Sequence, residues 1–134
     1  MLDSGACETC LNPESFPKTP IEEDKRIDLF GAEGTKIETY GEIRPRIRLK
    51  GSKSERCGKI KGQACKVLDN IACLANLEDA GYEFHIHEGR RYLIPPDSKE
   101  EVEIVRHGKR YFMEYEYLGP EEEGTDQPGS ETVV

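Results

Sequence analysis

The chain is a succession of short apolar-polar alternations cut by glycine and proline, and this punctuation constrains its fold more than any other feature. Arg26-Ile27-Asp28-Leu29-Phe30 alternates, Gly31-Ala32-Glu33-Gly34 interrupts it, and Lys36–Tyr40 resumes it. Side chains that alternate every second residue belong to half-buried strands, and glycines at 31 and 34 can take the positive φ that a hairpin turn needs. Gly41 breaks the pattern and residues 42–49 restore it, with Pro45 pointing to an edge position or a bulge. Residues 11–25, rich in proline and acids, suit a loop. Residues 51–62 suit a charged connection and 64–68 a short strand. Tyr82–His87, Arg90–Ile94, Glu101–Val105 and Arg110–Leu118 are four further β-like runs. One segment differs. Ile71, Leu74 and Leu77 recur at helical spacing over 71–80, with Asn70 as N-cap and Gly81 at the C′ position. Six or more strands and one short helix predict a mainly β barrel or sandwich with a single helix.

A length of 134 residues fits one domain, and 35% hydrophobic residues allow a core without surplus. No apolar run nears the roughly 20 residues of a membrane span. Met1-Leu2-Asp3-Ser4 is not a basic-then-apolar leader. No membrane partner and an intracellular, cytoplasmic location are therefore expected. Five cysteines, an odd number, suit reduced thiols in that setting.

The net charge of -8 is unevenly spread. Residues 119–134 hold Glu121, Glu122, Glu123, Asp126 and Glu131 with no base, and also Pro120 and Pro128. Such a composition predicts a disordered acidic tail. Residues 44–66 hold nine basic side chains against Glu55 alone. A nucleic-acid patch and the solvated face of a hairpin both fit that count. Arg44, Arg46 and Arg48 alternate with Ile43, Ile47 and Leu49, and no aromatics are interleaved for base stacking. The hairpin face is the expectation, and nucleic acid is not expected as a partner.

Chemistry concentrates at the start of the chain. Leu2-Asp3-Ser4-Gly5-Ala6 sets an acid, a hydroxyl and a glycine behind an apolar residue. A carboxylate on a tight turn, a glycine that lets backbone approach and a hydroxyl that locks the loop are what an aspartic protease requires. A competing site is Cys7-Glu8-Thr9-Cys10, a Cys-x-x-Cys with Cys57 and Cys65 downstream and His85 and His87 further on. Thiolates at that spacing can chelate zinc, and the same residues also fit unligated thiols and exposed-strand histidines. Tyr111, Phe112, Tyr115 and Tyr117 fit a final core or dimer-interface strand.

Over residues 2–118 the chain resembles the retropepsin-like aspartic proteases of retroviral and retrotransposon polyproteins. Asp3-Ser4-Gly5-Ala6 matches the family's catalytic Asp-Thr/Ser-Gly-Ala. Leu29–Ile37 stands where the family has its flap, with Phe30, Gly31, Ala32, Glu33 and Gly34 at the tip. Val67–Leu74, then Leu77–Glu83, resembles the segment passing behind the active site into the family's one helix. The resemblance implies an acid-protease β-barrel over 1–82 with a β-rich extension over 83–118. It also implies a homodimer in which each chain supplies one Asp3, Ser4 and Gly5, acting on a polypeptide substrate without metal or cofactor. Only Met1 and Leu2 precede Asp3 where the family has a strand, so a fragment lacking that strand is expected. A non-catalytic relic of the same fold and a small zinc or nucleic-acid binding module are the alternatives.

Overall fold

Five small sheets share one hydrophobic core in the computed structural model, which describes residues 1–120. In chain order the first strands are β1 (Leu2–Asp3), β2 (Cys10–Leu11), β3 (Ile21–Glu22), β4 (Leu29–Phe30) and β5 (Lys36–Ile37). Then come β6 (Thr39–Ile43), β7 (Arg46–Leu49), β8 (Cys57–Lys59), β9 (Gly62–Cys65) and β10 (Ala72–Cys73). The helix α1 (Leu74–Asp79) precedes β11 (Glu83–His87), β12 (Arg90–Ile94), β13 (Val102–Glu103), β14 (Val105–His107), β15 (Arg110–Phe112) and β16 (Tyr115–Tyr117). The sheet orders are β10-β1-β15-β14, β2-β9-β6-β3, β16-β7-β8, β11-β12-β13 and β4-β5.

The mainly β class with one short helix is thus observed, and the expected barrel is corrected: none of the five sheets closes on itself. Each sheet has only two to four strands, too few to meet end to end around a closed wall. The run 42–49 shows how the sheets are kept apart. It divides at Pro45, whose ring is buried, and whose carbonyl takes the Ile60 N–H at 3.1 Å. β6 stays with β9 while β7 pairs with β8 and β16. Pro45 is therefore a buried corner between two sheets, not an edge or a bulge. The bulge falls instead between Thr39 and Gly41. Gly41 has φ +140, and a Cβ there would stand 2.5 Å from the Glu22 carbonyl oxygen, so only glycine allows β3 to lie so close.

The helix is shorter than expected. Residues 72–73 are drawn into β10, which pairs in parallel with β1, Leu2 against Ala72 and Asp3 against Cys73. Helical conformation starts only at Leu74, with Cys73 in the cap position and no side-chain cap bond. Gly81 ends it as expected, at φ +94, with its N–H on the Glu78 carbonyl. The loop expected over 11–25 holds two 3-10 turns and β3, and the connection over 51–62 holds β8.

Leu11, Phe16, Ile43, Ile47, Leu49, Leu77, Leu93 and Ile104 are almost wholly buried in one cluster. Each contributes on the order of 1.5–3 kcal/mol of hydrophobic stabilisation. Residues 83–118 add to that same cluster, and they also complete sheets begun earlier, β15 beside β1 and β16 beside β7. The late tyrosines are half-buried and pack against this core: Phe16 stacks on Tyr115 at 5.7 Å and meets Tyr117 edge-on at 5.5 Å. No helix among the described residues is long and apolar enough to cross a membrane. The acidic tail expected over 119–134 lies, beyond Pro120, outside the described residues.

Candidate active site

Asp3 ends a strand held on both sides. β1 lies between β10, its parallel neighbour, and β15, where Leu2 faces Tyr111. The apolar Leu2 is buried and anchors the strand, which leaves the next residue at the sheet's end, half-buried. The chain then turns through Ser4 and Gly5, both exposed. The Gly5 N–H donates to Asp3 Oδ1 at 2.8 Å. A Cβ at Gly5 would stand 3.4 Å from that same oxygen, an ordinary contact, so the bond depends on the backbone N–H and not on the missing side chain. The turn thus fixes one carboxylate oxygen and leaves the other free of any side-chain or backbone donor among the described residues.

The return of the chain is clamped to the strand behind. Cys73 Sγ donates to the Ala6 carbonyl at 2.9 Å, and the Cys73 N–H donates to Thr9 Oγ1 at 3.1 Å. Thr9 is fully buried, and its own carbonyl accepts the Gln63 N–H at 2.9 Å. Cys10 and Ile71 exchange backbone hydrogen bonds at 2.8 Å in both directions. Asn70 closes the set. Its Oδ1 accepts the Asn12 N–H at 2.7 Å and its Nδ2 donates to the Tyr115 hydroxyl at 2.9 Å and to Ser15 Oγ at 3.2 Å. The role read for Asn70 as helix N-cap is therefore replaced by that of a tie between three segments. Thr9, Gln63 and Cys73 had no visible signal in the sequence, since the partners of their side chains lie 36 or more residues away.

The hairpin β4-β5 pairs Leu29 with Ile37 and Phe30 with Lys36 and forms a sheet of its own. Its tip is closed by Gly31 N–H to Thr35 O at 2.8 Å and Gly34 N–H to Gly31 O at 2.9 Å, and Gly34 has φ +83. Phe30 is 63% exposed on it. Two buried side chains hold its base. Thr39 Oγ1 donates to the Ile27 carbonyl at 2.7 Å, and Gln63 Oε1 accepts the Ile27 N–H at 3.2 Å. Within one chain no hydrogen bond or ion pair joins residues 30–34 to Asp3, Ser4 or Gly5 among the described residues.

The cysteines divide. Cys10 and Cys65 are buried and adjoin, while Cys7 and Cys57 are exposed, and all are free thiols. The Cys10 thiol is held below its ordinary pKa by the hydrogen bond from Cys65, and Cys65 is pushed up by that same contact and by burial. Cys7, Cys10, Cys57 and Cys65 are not gathered: no group of three or more metal-ligating side chains exists among the described residues. His85 leans on Glu83 at 3.1 Å and stacks on Tyr92 at 5.1 Å, and His87 is exposed beside Glu88. No protein-family profile, curated protein or solved structure matches this chain.

Proposed function

We propose that the chain is a retropepsin-like aspartic endopeptidase domain that works as a homodimer on a retroelement-type polyprotein. The observation that carries this reading is the Asp3 turn, a carboxylate at the end of a flanked strand with the Gly5 N–H on one of its oxygens. Two further features support it. The strand beside Asp3 leads directly into α1, as the resemblance implies for the segment behind the active site, and it runs parallel to β1. A glycine-tipped hairpin stands free of every other sheet, with Phe30 exposed.

One chain brings one Asp3, so the site is built when two copies set these carboxylates side by side. Two carboxylates roughly 3 Å apart cannot both ionise and share one proton. Their titration belongs to the pair. The charged member takes a proton from water as general base, and the water oxygen attacks the scissile carbonyl. The protonated member polarises that carbonyl oxygen. Proton return to the amine nitrogen then lets the carbon–nitrogen bond break, with no covalent intermediate. Gly5 holds one Asp3 oxygen in place through this cycle, and the 30–34 hairpins shut out bulk water.

The test is digestion of a mixed-sequence peptide library by wild-type chain and by Asp3→Asn at matched dimer concentration. Cleavage present in the first and lost by at least about a thousandfold in the second supports the reading. Equal cleavage by both removes it. No cleavage by either, with dimers present, leaves the non-catalytic relic.

A further inference from the structure

The fold splits the basic stretch 44–66 into cations that are used and cations that are not. Arg44, Arg48 and Arg56 are taken up by Glu42, Glu116 and Asp97 at 3.0, 3.0 and 2.9 Å. Lys50 and Lys53, on the turn after β7, have no side-chain partner among the described residues. That turn crosses β13 closely. The Glu103 N–H donates to the Gly51 carbonyl at 3.1 Å, and a Cβ on Gly51 would meet the Glu103 carbonyl oxygen at 2.6 Å. Beside the crossing lies an open cleft of about 900 Å³, which the start of β12 and residues 99–101, 103 and 104 also line.

The cleft's charges are unequal in availability. It is lined by Lys50, Lys53, Arg90, Arg91 and Lys99, and by Glu100, Glu101 and Glu103. Glu100 is saturated: it accepts from Ser52 Oγ at 2.7 Å, Ser54 Oγ at 2.7 Å and the Ser54 N–H at 2.8 Å. Glu101 is paired with Arg90. Lys50, Lys53, Lys99 and Arg91 remain, against the single unengaged carboxylate of Glu103. Arg91 Nε is buried with no acceptor. The Tyr92 ring has His85 on it at 5.1 Å and Arg90 at 5.0 Å, so it is already covered and offers bases no stacking platform.

Surplus cationic donors select an anion. Lysine ammonium groups are mobile point charges, which suit several separate phosphates better than one planar carboxylate. We propose that this cleft binds an oligophosphate through Lys50, Lys53, Lys99 and Arg91, the phosphates belonging to a free polyphosphate or to a nucleic-acid backbone. Recognition is by charge, without base preference, and salt weakens it.

The experiment uses the full chain, with sodium tripolyphosphate followed by calorimetry and a labelled single-stranded oligothymidylate followed by anisotropy, each across a salt series. Lys50→Gln/Lys53→Gln/Lys99→Gln alters three exposed side chains and should weaken binding by about tenfold or more. For the oligonucleotide it should flatten the log–log salt slope by about 2, since each single-strand phosphate contact contributes about 0.7. Lys18→Gln/Lys61→Gln/Lys109→Gln, away from the cleft, should leave affinity within about twofold. Cleft-dependent binding of tripolyphosphate alone assigns a free polyphosphate, and of the oligonucleotide alone a backbone. Cleft-dependent binding of both supports the shared chemistry. No binding of either at low salt overturns the proposal. Equal losses in the two triple variants, or polyglutamate bound as tightly, do so as well.

Discussion

Replacing Asn70 by serine separates two roles that the sequence alone leaves indistinguishable. As a helix N-cap, asparagine and serine are near equals, and Asn70→Ser would cost a few tenths of a kcal/mol. As a tie, Asn70 must reach the Asn12 N–H, the Tyr115 hydroxyl and Ser15 Oγ together, at 2.7, 2.9 and 3.2 Å. Serine is too short and has one hydroxyl. The first two bonds are partly buried and each contributes about 1 kcal/mol net, while the exposed third adds little. The expected loss is about 2 kcal/mol, with Asn70→Ala close to it. A domain of this size loses roughly 3–6 °C of melting temperature per kcal/mol, so the midpoint should fall by about 6–12 °C. Asn70→Asp keeps the acceptor for Asn12, and both hydroxyls can turn to donate to it, so it should lose less than serine. The assay is thermal unfolding by circular dichroism, with urea melts to confirm that the slope is unchanged. A serine variant within about 0.5 kcal/mol of wild type, beside an alanine variant that loses 1 or more, would refute the tie and restore the cap.

Three further outcomes follow from the packing. Gly41→Ala should destabilise by about 2–3 kcal/mol or prevent folding, because the φ of +140 is strained for alanine and the Glu22 backbone blocks its Cβ; urea unfolding checks it. Gly62→Ala puts a Cβ 2.9 Å from Thr9 Cγ2 and from the Thr9 carbonyl oxygen, so it should loosen the residues behind Asp3, read as faster amide exchange at Gln63 and Cys73. Glu100 is held below the usual carboxylate range, first by the Ser54 N–H and then by the Ser52 and Ser54 hydroxyls. A depressed folded pKa stabilises above the unfolded value of about 4.3 and is lost as pH falls through the folded one. The gap in melting temperature between wild type and Glu100→Gln should therefore narrow as pH drops below about 4.5, and a gap that widens would contradict the hydrogen-bond set.

Legibility in the sequence followed the length of each element and how its faces are covered. The β11-β12 hairpin alternates over five residues a side around Glu88-Gly89, and it pairs in full register from Glu83 and Ile94 to His87 and Arg90. β4 and β5 have only two residues each, and their hairpin was marked instead by the glycines of the Gly31–Gly34 turn between them. β1, β2 and β3 have two residues each, too few for any period to show. β9 is buried at all four positions, so Gly62–Cys65 shows no alternation, and its glycine reads as a loop. The helical spacing from Ile71 was misleading because pairing with β1 holds Ala72 and Cys73 extended, a tertiary override of a local pattern. At the candidate site, Asp3-Ser4-Gly5 carried its own signal, because the carboxylate and its donor are two residues apart. Thr9 and Cys73 carried none, and Asn70 carried only a misleading N-cap pattern, since their chemistry exists only once strands remote in sequence meet.

Mixing wild-type chain with Asp3→Asn at constant total concentration tests most directly whether two copies share one catalytic centre. Peptidase activity should fall with the square of the wild-type fraction, to about a quarter at equal amounts, since only like pairs hold both carboxylates. A linear fall, to about a half, would mean that each chain acts alone and would contradict the shared dyad.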